Sequence, residues 1–327
     1  MRALITGATG CVGANIAEAL LASGYDVRAL RRPSSQPAAL EGLDVEFATG
    51  DVLDPASLTA ATRDCALVFH TAAVSRYWRS DRESLYRVNV EGTRNLLAAA
   101  MAAGVQRVVC TSSIAALGVP RSAGALLDET CTFNVSPHRF PYGHSKYLAD
   151  REVDAAVQRG LDAVIVNPTS VIGQRDVNFV GGELLRMTVQ AWFVLTPCGG
   201  MGVIGAKEAG VGHVLAAERG SRGERYILSG QNIRHLDLIR LVAEVTGGKR
   251  PLGVVPKPLA LSFAVLLRGL DRVRLNPFPL DPSQLDVGSS EIFADTTKAR
   301  AALGFVGSPA RVAVEEAWQW YRSHNLL

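Results

Sequence analysis

Three residues have the types and spacing of a proton-transfer group. Tyr142 and Lys146 stand four apart in Pro141-Tyr142-Gly143-His144-Ser145-Lys146, and Ser113 closes Thr111-Ser112-Ser113. On a helix that spacing puts both side chains on one face, where an ammonium can lower a phenol from its ordinary pKa near 10. Hydride addition to a carbonyl builds negative charge on the oxygen. A phenol that gives its proton there, while a hydroxyl hydrogen-bonds the same oxygen, lowers the barrier. Tyr and Lys four apart are also common as a plain amphipathic surface pair, so the surrounding elements decide between the two readings.

The first two thirds of the chain alternate short apolar runs with helical stretches, the pattern of a doubly wound α/β domain on a parallel sheet. Strands are predicted over 3–6, 26–30, 45–49, 67–70, 107–111 and 163–167. Ser113 lies just beyond the fifth strand, in the carboxyl-end crevice where open α/β sheets bind ligands. The Tyr–Lys segment opens a helix whose inner face continues through Ala149, Val153 and Val157 until Gly160 ends it. Gly24 fits a helix C-terminal cap, and Asp54-Pro55 an N-cap followed by proline at the first helical position. Past Pro168 the alternation weakens. The chain therefore divides into a dinucleotide-binding Rossmann domain over 1–170 and a smaller, mainly substrate-binding region over 171–327. A returning strand at 225–229 interleaves the two, and helical patterns recur over 236–245 and 312–321.

Directly after the first strand comes Thr6-Gly7-Ala8-Thr9-Gly10-Cys11-Val12-Gly13, followed by an apolar-periodic helix to Leu21. Gly7, Gly10 and Gly13 fit the tight turn, the close backbone approach to a pyrophosphate and the close helix–strand packing that such a loop needs. The pyrophosphate would sit at the positive end of the helix dipole. The competing reading is a glycine-rich turn without ligand. After the second strand, where an NAD site presents an acidic group to the ribose, stand Arg31 and Arg32. Guanidinium groups pair with a 2′-phosphate, so NADP(H) is expected over NAD(H). Two solvated arginines ahead of Pro33-Ser34-Ser35-Gln36-Pro37 are the alternative.

With 327 residues, 48% hydrophobic and 20% charged, the chain is globular and not disordered. A formal charge of +3 without a Lys/Arg cluster makes nucleic acid an unexpected partner. The scattered Cys11, Cys65, Cys110, Cys131 and Cys198 read as reduced thiols, and no metal site is expected. His70, His144 and His213 lack partners at ligand spacing and read as structural. The strand-like Ala3-Leu4-Ile5-Thr6 follows Met1-Arg2 at once, and the longest apolar run, 259–267, contains Ser262 and stops at Arg268. A cytoplasmic protein with no membrane span is expected, with that run as a buried element or pocket lid.

The chain resembles the extended short-chain dehydrogenase/reductases, the NAD-dependent epimerase/dehydratase family. The resemblance is carried by the glycine loop, Thr111-Ser112-Ser113 and Tyr142-Gly143-His144-Ser145-Lys146. Smaller marks are Gly50-Asp51-Val52, His70-Thr71-Ala72-Ala73, Val88-Asn89-Val90-Glu91-Gly92-Thr93 and Asn167-Pro168. It is most similar to dihydroflavonol-reductase-like proteins and hopanoid-associated sugar epimerases, through Leu30-Arg31-Arg32-Pro33, Asn89 to Leu96 and Glu224 to Leu228. The resemblance implies that Asp51 and Val52 flank the adenine, Ala72 and Ala73 border the cofactor, and Pro168 to Val171 contact the nicotinamide end. It also sets Lys146 on the nicotinamide ribose and places Thr9, Cys11, Val12, Asn89 and Thr111 around the cofactor. A homodimer formed through the helices over 91–103 and 145–157 is implied as well. One departure stands out: Lys207-Glu208 occupies the place where relatives carry an acidic pair.

Ser75, Arg76, Tyr77, Trp78 and Arg79 follow the fourth strand and read either as pocket lining or as surface, with Ser75 and Tyr77 the candidate substrate contacts. The stretch 117–140 could cover the substrate as a loop. Three functions stay open: a reductase that consumes NADPH on a ketone or aldehyde, a nucleotide-sugar epimerase or dehydratase that recycles its cofactor, and a non-catalytic NADP-sensing protein. Arg31 and Arg32 favour the first over the second, and the intact Ser113, Tyr142 and Lys146 argue against the third.

Overall fold

The computed structural model describes residues 1–75, 81–272 and 282–327. In chain order the strands are β1 (Arg2–Thr6), β2 (Asp26–Arg31), β3 (Glu46–Thr49), β4 (Leu67–His70), β5 (Arg107–Thr111), β6 (Ala163–Pro168) and β7 (Ser170–Ile172). There follow β8 (Val194–Pro197), β9 (Gly200–Gly205), β10 (Arg225–Leu228), β11 (Gln231–Arg234), β12 (Pro251–Val255) and β13 (Glu291–Ile292). The helices are α1 (Cys11–Ala22), α2 (Pro55–Thr62), α3 (Arg82–Tyr86), α4 (Gly92–Ala102), α5 (Pro141–Gln158) and α6 (Glu183–Gln190). The remainder are α7 (Ala206–Arg219), α8 (His235–Thr246), α9 (Lys257–Arg272), α10 (Pro282–Gly288), α11 (Thr297–Leu303) and α12 (Ala310–Ser323).

A seven-stranded parallel sheet runs β10-β6-β5-β4-β1-β2-β3. Its strands are buried on both faces, which is why they read as apolar runs without alternation. In β1, Leu4 packs with Leu58 of α2, Leu96 of α4 and Val153 of α5 in one core. Ile5 packs on the other side with Ile16 of α1, Val214 of α7 and Leu303 of α11. Each such fully buried side chain contributes about 1.5–3 kcal/mol. Local chemistry sets the ends as expected: Asp54 Oδ1 accepts the Ala56 N–H at 3.1 Å ahead of α2, and Gly24 takes φ 78° just past α1.

The returning strand is β10, which pairs with β6 from Arg225↔Ile165 to Leu228↔Pro168. With α7 and α11 it belongs to the layers of the main sheet, although it comes from the second half of the chain. The rest of that half builds a smaller layer. There β9 pairs with β7, β11 and β13, β8 pairs with β12, and Ile172, Leu185, Leu238, Val242, Val314 and Tyr321 form a third core. Asp176 ties its loops together, accepting N–H groups of Val180, Gly181 and Gly182 and the Tyr321 hydroxyl at 2.9–3.1 Å. The apolar run over 259–267 is the middle of α9, and no helix among the described residues is long and apolar enough to cross a membrane.

Candidate active site

A cavity of about 1290 Å³ opens along the carboxyl ends of β1, β2, β4, β5 and β6 and continues into the smaller layer. That volume exceeds the range of roughly 300–1,000 Å³ for a single ligand pocket, so a dinucleotide and a second molecule can share it. Gly7, Thr9, Gly10, Cys11, Val12 and Gly13 line one stretch of its wall, with Arg31, Arg32, Asp51 and Val52 beside them. Ala72, Ala73, Ser75, Thr111, Ser113, Tyr142, Lys146, Pro168 and Val171 line the remainder of the expected set.

The glycine loop has the shape a dinucleotide needs. Gly7 holds φ 70°, and a Cβ there would lie 2.6 Å from the Ala72 backbone nitrogen. A Cβ on Gly13 would lie 2.8 Å from Ala8 Cα, so only glycine lets α1 start this close to β1. Gly10 is the N-cap of α1 and offers no side-chain acceptor, which leaves the first N–H groups of the helix to a ligand. At the end of β2 the Arg31 guanidinium lies 5.0 Å from the Phe47 ring centre, and its Nε is buried with no hydrogen-bond partner. An orphaned guanidinium nitrogen on the cavity wall is the donor set that an anion would complete.

Ser113 caps a short 3₁₀ turn over Ile114–Leu117, its Oγ accepting the Ala115 N–H at 3.2 Å. Its side chain is also hydrogen-bonded to the Tyr142 phenol. Burial pushes that phenol above its ordinary pKa and the Ser113 hydrogen bond opposes the shift. The expected lowering by Lys146 is not what the structure holds. Lys146 Nζ donates instead to the Thr111 carbonyl at 2.8 Å, drawn to the end of β5. Burial lowers its own pKa to about 8, against the pull of Asp150 and Cys110. At neutral pH the phenol is therefore protonated and the lysine still largely charged.

Hydrogen bonds behind the wall fix these groups. Asn89 is the expected residue that does not line the cavity: its Oδ1 accepts the Val74 N–H at 2.8 Å and its Nδ2 donates to Ser145 Oγ at 2.9 Å, joining the loop after β4 to α5. His70 bridges Thr6 Oγ1 at 2.7 Å and Thr93 Oγ1 at 2.9 Å, and burial lowers it to about 3, so it is a neutral strut. His213 Nδ1 donates to the Ala209 carbonyl at 2.6 Å, which leaves Nε2 to accept from the Thr111 hydroxyl at 2.9 Å. His144 pairs with the Tyr86 hydroxyl at 2.9 Å. Tyr77, with Arg76, Trp78 and Arg79, lies outside the described residues. Leu117 and Leu127, from the stretch between Ser113 and Tyr142, pack against Ile227 and Ile292, so that stretch joins the two layers.

Lys207-Glu208 has a structural use. Glu208 accepts the Gly205 N–H at 3.3 Å and the Ser308 N–H at 3.0 Å, capping α7 and tying it to the chain after α11. The five cysteines are free, and no cluster of metal-ligating groups exists among the described residues. Three residues of interest escaped the sequence reading. Asp150, one turn beyond Lys146, is buried, pairs with Arg225 at 3.2 Å and is raised to about 6. Its signal was an acidic residue four places after Lys146 on a helix face otherwise apolar. Thr196 and His235 line the cavity from the irregular second half, where no pattern pointed to them.

The architecture and the sequence both have counterparts. The family model described as NAD dependent epimerase/dehydratase family matches residues 3–191. A Synechocystis sp. protein named as a dihydroflavonol 4-reductase is 37% identical over 99% of this chain and 95% of its own. Sterol demethylase protein B of Methylococcus capsulatus is 34% identical over the full length of both. The crystal structure of gox2253 superposes with a TM-score of 0.88 at 35% identity, covering 100% of this chain and 99% of that one. The parallel sheet, the glycine loop and the Ser–Tyr–Lys wall thus recur with relatives of matching length, and the chain belongs to the NAD-dependent epimerase/dehydratase family.

Proposed function

We propose that this chain is an NADP(H)-dependent reductase that converts a ketone or aldehyde to an alcohol. The observation that carries the reading is the pairing of a buried, protonated Tyr142 phenol with Ser113 on the wall of a cavity large enough for a dinucleotide and a second molecule. The nicotinamide cofactor supplies the hydride. Tyr142 gives its proton to the carbonyl oxygen as charge develops there, and Ser113 hydrogen-bonds the same oxygen. Lys146, anchored on the Thr111 carbonyl, is assigned to the nicotinamide ribose. Gly7, Thr9, Gly10, Cys11, Val12 and Gly13 are assigned to the pyrophosphate, and Asp51 and Val52 to the adenine side. Ala72, Ala73, Thr111, Pro168 and Val171 border the rest of the cofactor, with Asn89 acting through the loop it braces. Arg31 and Arg32 stand where a 2′-phosphate would be read, which supports NADP(H) over NAD(H). A reductase name on the Synechocystis relative points the same way.

The test is loss of reduced-nicotinamide absorbance when the purified protein and NADPH meet a panel of ketones and aldehydes, with NADH in parallel. A second arm incubates the protein with UDP-glucose and separates the products. NADPH consumption with a carbonyl compound is the expected result. No consumption across the panel, together with conversion of the nucleotide sugar, overturns the proposal.

A further inference from the structure

Beyond Ser113 and Tyr142 the cavity continues into a chamber walled by Leu184, Met201, Leu238, Ile239, Phe263 and Ile292. The charged side chains on the described cavity wall are Arg31, Arg32, Asp51 and Lys146, and none of them stands in that chamber. A substrate carrying a diphosphate would bury its charges there without a cation among the described residues, which is strongly unfavourable. An apolar frame loses nothing by entering.

Two polar atoms interrupt this wall. Thr196 of β8 is 2% exposed and His235, the first residue of α8, 8%. Thr196 Oγ1 and His235 Nε2 are both buried and have no hydrogen-bond partner. They belong to one corner of the cavity: a Cβ built on Gly288 would lie 3.4 Å from Pro197, the neighbour of Thr196, and 3.9 Å from His235 Nε2. Burial holds the imidazole near pKa 4 with the Gly288 backbone opposing, so it is neutral at pH 7. Buried hydroxyls and ring nitrogens are almost always paired, and an orphan pair facing a cavity awaits a partner. One hydroxyl group can donate to either atom and accept from the other.

We propose that the substrate is an uncharged, largely apolar carbonyl compound with a hydroxyl remote from the reacting carbonyl, and that Thr196 and His235 bind this hydroxyl. The inference rests on the reductase reading for its reacting carbonyl. A site built to hydrogen-bond a hydroxyl discriminates strongly against the analogue that lacks it, because its own polar groups are then left unpaired.

Two rigid polycyclic ketones with the same frame, one with a remote hydroxyl and one without, separate the possibilities. NADPH oxidation gives kcat and KM for each, and calorimetry on the protein with NADP⁺ gives binding without turnover. The hydroxylated ketone is expected to bind about tenfold or more tightly, with the difference carried by KM. Thr196→Val and His235→Phe are expected to reduce that preference, and Thr196→Ser to retain it, with circular dichroism confirming the fold of each. Equal binding of the two ketones, binding of neither, or a preference that survives both Thr196→Val and His235→Phe overturns the site. If the binding preference holds while neither ketone consumes NADPH, the reductase reading falls and the hydroxyl site stands.

Discussion

Replacing Arg31 by alanine isolates the proposed cofactor preference. The Arg31 guanidinium lies 5.0 Å from the Phe47 ring centre and its Nε has no partner, with Nη1 only 3.5 Å from the Ser35 carbonyl. Little internal bonding is therefore lost. A cation–π contact at an exposed site contributes about 0.5–1 kcal/mol, so the melting temperature should fall by no more than a few degrees. A hydrogen bond to a charged group contributes about 1.5–3 kcal/mol, or roughly 10- to 150-fold in affinity. Titration of wild type and Arg31→Ala with NADPH and with NADH, followed by cofactor fluorescence, should show NADPH weakened by that factor and NADH changed less than threefold. Arg31→Asp adds repulsion of the phosphate and should bring the two affinities level or invert them. An unchanged NADPH:NADH ratio in both variants would refute the reasoning and return Arg31 to a surface role.

The pH dependence follows from Lys146, lowered to about 8 by burial and held up by Asp150 and Cys110. Its ammonium is lost as pH rises through that value, so kcat/KM should fall on the alkaline side near pH 8. Asp150→Asn removes the opposing carboxylate and should move that limb to lower pH; a limb that does not move excludes the coupling. The unfolded chain keeps this proton up to about 10.4, so between about 8 and 10.4 the unfolded state binds more protons and Lys146's contribution to stability should rise with pH. Asp176→Ala strips the partner from three N–H groups and the Tyr321 hydroxyl and should cost about 2–5 kcal/mol, read as a lower denaturation midpoint; an unchanged midpoint would refute the hub.

The main sheet was legible because its strands are buried on both faces and its helices carry local stop signals. Gly24 and Asp54-Pro55 act through their own backbone, so neighbours far along the chain do not alter their meaning. The placement of Tyr142 and Lys146 on one helical face was legible for the same reason. Their electrostatics were not, because Lys146 answers to the Thr111 carbonyl at 2.8 Å, a contact between residues 35 apart. Asn89 was readable as part of a motif but not as a brace, since its partners Val74 and Ser145 meet it only in the folded chain. The chamber was opaque: Thr196 and His235 belong to β8 and α8, short elements whose contacts form only when the smaller layer closes on the sheet. Lys207-Glu208 looked like a departure from relatives and proves to be a helix cap joined to Ser308.

The central claim is that Tyr142 delivers the proton. Single-turnover oxidation of bound NADPH by the best carbonyl compound of the panel, compared in wild type and Tyr142→Phe, tests it directly. The account predicts a loss of about 10²–10⁴-fold in the hydride-transfer rate with NADPH affinity changed less than threefold. A Tyr142→Phe protein that transfers hydride within tenfold of wild type would contradict it.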